Sequence, residues 1–251
     1  IQDFDWYETV GIVIAIFVLL LCCAGIFSFG YRESTAEEGQ AYEIKSYITE
    51  QMKANACVSN AELCLLEEFT PQKIGNDADS IALATVLTLD NADPDASMVG
   101  MTNGTMLINQ VLSGDLSKGQ VINYSKPGGM MKMSEWEESQ PDAANQKRQY
   151  LREQSKTSTE LDKTYINVKI SGDIEIEAGK SYLVYLKSNN GSYEIIGLGN
   201  GLRELDVEQQ SSRATVQTFN TSSLKIKNNE TGEFESLENY INTYISNRQE
   251  K

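Results

Sequence analysis

Residues Ser80–Asn91, SIALATVLTLDN, constrain this chain more than any other stretch. In an extended backbone successive side chains point to opposite faces, so Ile81, Leu83, Leu87 and Leu89 fall on one side and Ala82, Ala84 and Val86 on the other. Both sides are apolar, which makes the segment a central strand covered on both faces. Asn91–Ser97, rich in Asp with one Pro, ends it in a loop.

Thr105–Ser125 then reads as two strands joined by a loop that carries Gly114 and Gly119. That loop is seven residues long, too long for a tight two-residue turn, and Leu116 in its middle is expected to tuck inward as an anchor. Further strands are expected at Tyr165–Ile170, Ile174–Glu177, Tyr182–Lys187 and Ser192–Gly197, and weaker ones at Ala214–Phe219 and Ser223–Lys227. Asn189-Asn190-Gly191 marks a short hairpin, because Asn and Gly tolerate the positive φ it needs.

Helical periodicity occurs in three places. From Glu37 to Ala56, Tyr42, Ile44, Tyr47, Ile48 and Met52 recur at spacings near three and four, the pattern of an amphipathic stalk. Residues 134–164 are polar, with a helix expected from Pro141 to Gln154, and read as an inserted surface excursion. Ser236–Asn247 sets Leu237, Tyr240, Ile241, Tyr244 and Ile245 on one stripe.

Many short strands, Gly-rich turns and marginal helices argue for a mainly β (α+β) fold: a small OB-like β-barrel with a helical insertion and a C-terminal amphipathic helix. The expected organisation is an anchor at 1–31, a stalk and Cys57/Cys64 connector at 32–77, the barrel at 78–235 and a terminal helix at 236–251.

The anchor follows from Thr9–Tyr31, which carries no charge and at about 1.5 Å per residue is long enough to cross a bilayer as a transmembrane helix. Trp6, Tyr7 and Tyr31 suit the two interfaces. A cleaved signal peptide fits less well, because the apolar region is too long and no Lys or Arg precedes it. Taken literally, Arg32 against Asp3, Asp5 and Glu8 would leave the larger domain in the cytoplasm. It is nonetheless expected outside the cell: a start at Ile1 leaves room for a lost basic flank, and a cysteine pair suits an oxidising compartment.

A formal charge of −15 argues against a nucleic-acid partner. The chain has no histidine, which removes the commonest general base and transition-metal ligand. No catalytic residue, cofactor or metal site is therefore expected. Cys57 and Cys64 are candidates for a disulfide or for two reduced thiols.

Among local motifs, GLGNGL at 197–202 follows a hairpin strand with no helix pattern behind it, which favours a tight barrel corner over a phosphate loop. Asn91, Asp93 and Asp95 alternate like calcium ligands but lack the Gly and Glu of an EF-hand, so they read as a solvated loop open to a partner. Lys147, Arg148 and Arg152 form a local basic face that could meet an acidic partner. Ser222 and Lys225 have the spacing of a Ser/Lys dyad, without the apolar pocket a lysine base requires.

Ala78-Asp79-Ser80-Ile81, Val111-Leu112-Ser113-Gly114-Asp115 with Gly119, Gly128-Gly129, the run AGKSYLVYL at 178–186, and Gly197-Leu198-Gly199-Asn200-Gly201 occur in this order. The succession resembles secreted, membrane-anchored Gram-positive proteins whose domain is similar to the OB-fold barrel of the tissue-inhibitor-of-metalloproteinase and netrin-like group. The resemblance spans about 78–202, with 134–164 unmatched. It implies architecture and a surface location. Inhibition of metalloproteinases is not implied, because Cys57 and Cys64 do not reproduce the spacing of the inhibitory cysteines.

The expected function is that of a non-enzymatic, single-pass surface protein whose barrel binds a protein or cell-envelope partner, through Asn91–Thr105 and the 134–164 excursion. The second reading is a pilin-like filament subunit, with an N-terminal hydrophobic helix and a β head.

Overall fold

The computed structural model describes residues 39–62, 69–94, 99–155 and 163–246, all within the compact unit Thr35–Lys251. The apolar run at 9–31 lies outside them, as do Cys64 and Asp95. The chain first forms strands β1 (Ala41–Glu43) and β2 (Lys45–Ser46), helix α1 (Glu50–Ala54), strand β3 (Ala56–Ala61) and helix α2 (Pro71–Asp77). Four strands follow, β4 (Ser80–Asp93), β5 (Met101–Ser113), β6 (Val121–Pro127) and β7 (Gly129–Lys132), then helices α3 (Met133–Glu138) and α4 (Asp142–Ser155). Next come β8 (Tyr165–Ile170), β9 (Ser181–Asn189), β10 (Ser192–Ile195), α5 (Leu198–Gly201) and β11 (Leu202–Glu204). The last elements are β12 (Arg213–Thr215), β13 (Lys225–Lys227), β14 (Phe234–Ser236) and α6 (Leu237–Tyr240), which runs on as a π-helical turn over Ile241–Ile245.

Five strands close on themselves. β4 pairs antiparallel with β5 and β5 with β6, β6 runs parallel to β10, β10 returns antiparallel to β9, and β9 pairs antiparallel with β4. Each strand of this ring has a neighbour on both sides, an order consistent with an OB-like barrel.

Closure requires strong bending, and the β4–β5 ladder supplies it by slipping register four times. Asn109 is the extra residue on β5 between the Leu83↔Gln110 and Ala84↔Ile108 pairs; Leu87 is an extra residue on β4 between Val86↔Met106 and Thr88↔Thr105. The extra place at Leu87 inverts the alternation beyond it. Leu89 accordingly packs inside the ring with Ala82, Ala84 and Val86 rather than on the outer face with Ile81 and Leu83. Asn109 is fully buried and satisfied: its amide donates to Thr85 Oγ1 at 2.7 Å, its carbonyl accepts from the Gln217 N–H at 2.9 Å, and Thr85 in turn meets Ser181 Oγ at 2.7 Å.

Both faces of β4 are covered, as its sequence requires. Met106, Ile108, Tyr124, Tyr182 and Val184 fill the ring. On the outer face Ile81, Leu83, Leu183 and Tyr185 meet Ile74 of α2, Ile226 of the β13–β14 hairpin, and Leu237, Tyr240 and Ile245. Each such large side chain contributes roughly 1.5–3 kcal/mol by leaving water. The loop at 114–120 brings Leu116 into the ring core. A second sheet, in the order β3-β8-β7, packs Met131, Ile166 and Val168 against Ala92 and Trp136.

The fold class expected from sequence needs correction: the chain is mainly β, with several sheets and few helices. Among the described residues no helix is long and apolar enough to cross a membrane. Among the described residues, the stalk helix expected over Glu37–Ala56 does not form as one helix. Tyr42 sits in β1, which pairs with β12 across the chain, and only Glu50–Ala54 is helical. Tyr42 and Ile44 are two apart and pack with Leu87, Leu107 and Ala214, a strand period that the helical reading absorbed. The C-terminal helix is one α-turn continued by a π-turn. The 134–164 excursion is bracketed by β7 and β8, so its ends belong to a sheet.

Candidate functional site

Gly128 and Gly129, with φ of +80° and +123°, turn the chain out of β6 into β7 and so join the ring to the second sheet. No side chain fits at either position. A Cβ at Gly128 would lie 2.7 Å from the Val168 carbonyl oxygen, and one at Gly129 would lie 1.9 Å from Thr102 Oγ1. Thr102 Oγ1 donates to the Gly128 carbonyl at 2.6 Å and holds the turn.

Beside this junction opens a cleft of about 920 Å³, a size that suits a ligand or a peptide segment. One wall carries Val58 of β3 with Asn167 and Lys169 of β8; the ring contributes Leu89, Thr102 and Lys126; the run Asp173–Ala178 forms another side. Lys126 Nζ is ion-paired with Asp173 Oδ2, and their side chains are only 9% and 3% exposed. The second Asp173 oxygen accepts the Ile174 N–H at 2.8 Å. This pair ties β6 of the ring to the turn after β8.

Along Ile174–Ala178 burial alternates residue by residue. Ile176 is buried in the ring core with Ile174 packed against it, while Glu175 and Glu177 face out. The sequence predicts a strand over Ile174–Glu177, yet among the described residues the segment joins no ladder. Side chains tether it instead. Asn167 Nδ2 donates to Glu175 Oε1 at 2.7 Å, Lys169 pairs with the same oxygen at 3.1 Å, and the Glu177 N–H donates to the Tyr182 hydroxyl at 3.1 Å. Among the described residues, the backbone groups of Glu175 and Ile176 form no hydrogen bond. Partial burial raises the Glu175 carboxyl, but the hydrogen bonds from Asn167 and Lys169 and the charges of Lys169 and Lys53 outweigh it, leaving the group below the usual carboxylate range.

The residues singled out from sequence lie elsewhere. Asn91 and Asp93 are exposed at the far end of β4, Lys147 is exposed on α4, and Arg148 stacks over Trp136 at 4.3 Å while donating to Asn145 at 3.1 Å. Arg152 lies on α4, and Asn91, Asp93, Lys147 and Arg148 do not line the cleft. Cys57 is a free, exposed thiol on β3. Gly197, at φ +84°, leads into α5 at a corner packed on Ile74, and Ser222 Oγ donates to Glu238 at 3.2 Å.

Lys126, Asp173 and Glu175 escaped sequence reasoning because their meaning is pairwise. The one local signal was a charged residue closing an apolar strand immediately before Pro127-Gly128-Gly129. The chain matches no protein-family model, no curated protein and no solved structure.

Proposed function

We propose that this chain is a non-enzymatic binding protein, held at a membrane surface through the charge-free run at 9–31, that takes a protein or cell-envelope partner into the cleft beside Gly128-Gly129. The observation that carries the reading is the cleft itself: a concave site whose charged groups are already engaged with one another, Lys126 with Asp173 and Lys169 with Glu175. Groups so paired shape and orient a surface.

Val58 lines the cleft and is 59% exposed, so a photo-crosslinking residue placed there leaves the core intact. On intact cells this position is expected to yield a discrete crosslinked species, and the same residue at Phe234, on the β13–β14 hairpin, is not. A crosslink at Lys147 but none at Val58 would move the partner to the 134–164 excursion. Silence at both positions would remove the binding reading.

A further inference from the structure

We propose that the free edge of β3 pairs with the same edge of a second copy of this chain, antiparallel about a two-fold axis at Val58, and so joins two three-stranded sheets into one. This goes beyond the binding reading, which concerns the cleft, and neither depends on the other.

Backbone direction identifies the open edge. β3 runs parallel to β8 in unbroken register from Ala56↔Tyr165 to Ala61↔Ile170. The Ala61 carbonyl accepts the Ser171 N–H at 2.9 Å, so Ala61 turns its backbone toward β8, and Ser59 and Cys57, earlier along the same alternation, do likewise. Ala56, Val58 and Asn60 turn theirs the other way, because the N–H and C=O of one strand residue leave on the same side and the side alternates along the chain. In the order β3-β8-β7 no described strand lies beyond β3, and among the described residues the Val58 and Asn60 backbone groups form no hydrogen bond. Edges of this kind are normally guarded by Lys, Pro or a bulge. β3, ACVSNA, has none of the three.

The symmetry of this edge selects a second copy. Its outward positions, Ala56, Val58 and Asn60, are centred on Val58, so a copy turned by a half-rotation presents the same positions in reverse. Val58 then faces its own counterpart and Ala56 faces the Asn60 of the other copy, and in each such pair the residues exchange both N–H···O bonds. Val58 is 59% exposed, and contact with its counterpart covers the apolar side chain that β3 leaves to water. Charge points the same way. Each copy carries −15, so two copies repel over most of their surface. An uncharged strand is where they can touch, and a basic peptide would gain nothing from it.

The test uses the full chain in mild detergent, carrying Cys22→Ala, Cys23→Ala and Cys64→Ala so that only the Cys57 thiol remains. Adding Ser59→Cys places a second thiol directly opposite the other copy's Cys57, in a pair without mutual hydrogen bonds whose Cα atoms lie about 4.5 Å apart, within disulfide reach. With Cys57 alone the two thiols are diagonal neighbours about 7–8 Å apart, beyond that reach. Under copper–phenanthroline oxidation the Ser59→Cys chain is expected to form a covalent dimer at least about tenfold faster than the chain with Cys57 alone, linked between positions 57 and 59 by mass spectrometry. Val58→Pro removes an outward N–H and no bond to β8, and Val58→Lys sets two ammonium groups face to face. Each is expected to slow the crosslink by at least about tenfold while circular dichroism remains that of the parent. Equal rates with and without Ser59→Cys, or a rate that neither Val58 substitution lowers, would overturn the proposal. If Val58 photo-crosslinks a foreign protein while Ser59→Cys gives no dimer, the pairing falls and the binding reading stands. If the dimer forms and the Val58 product holds only two copies of this chain, the pairing stands and the cleft partner falls.

Discussion

Replacing Lys126 with Met removes one half of an ion pair whose two side chains are 9% and 3% exposed. Asp173 then keeps only the Ile174 amide, on its other oxygen, and a buried carboxylate is left without a counter-charge. Breaking a buried pair from one side costs about 3–5 kcal/mol, most of it the desolvation of the orphaned charge. For a domain of this size each kcal/mol moves the melting temperature by about 2–4 °C, so Lys126→Met should melt roughly 6–20 °C below the parent. In urea the midpoint should fall by about 1–2.5 M with an unchanged slope. The decisive comparison is the double variant Lys126→Met, Asp173→Leu. Removing both charges also removes the desolvation burden, so the double variant should recover most of the loss, although it carries twice as many substitutions. If the single variant costs less than about 1 kcal/mol, or the double variant is as unstable as the single, the pair is not the buried tie described above.

Three further outcomes are expected. Gly104→Ala would drive a Cβ to 2.1 Å from the Thr88 carbonyl oxygen and 2.8 Å from the Tyr124 ring and hydroxyl, so urea unfolding should show a loss of about 1–3 kcal/mol or more. Asn109→Leu strands the Gln217 N–H and removes a partner of Thr85; it should cost about 2–4 kcal/mol, and Thr85→Val should add little in the Leu background because the two sites share one network. Glu175 is held below the usual carboxylate range, so the unfolded chain takes up its proton first; its contribution is complete above about pH 4.3 and is lost as pH falls through the lower folded value. With its side chain 59% exposed, that contribution is screened to roughly a few tenths of a kcal/mol, and Glu175→Gln should flatten the acid limb of a stability–pH profile by no more.

Local pattern determined much of this protein. Two-sided apolarity made Ser80–Asn91 a central strand, and the structure covers both of its faces. The Gly-bearing loop with Leu116 as anchor and the Asn189-Asn190-Gly191 turn follow from backbone freedom and one apolar side chain, and both form where expected. Such features are settled within a dozen residues of chain, so sequence alone can carry them.

Pairings between distant segments are of another kind. Tyr42 becomes a strand residue because β12, more than 170 positions later, lies beside it. Ile174–Glu177 has the alternation of a strand and fails to become one, because alternation chooses the buried face and cannot supply a neighbour along the edge. The register slips at Leu87 and Asn109 depend on how far β4 must bend to meet β9. The cleft draws on residues from Ser46 to Val58, Leu89 to Met130 and Asn167 to Gln209, brought together only when the ring closes and the second sheet folds back at two glycines. Sequence therefore decided which segments are extended and which faces avoid water. The tertiary structure decided which edges meet, because a ladder is a bond between segments and its energy belongs to neither one alone.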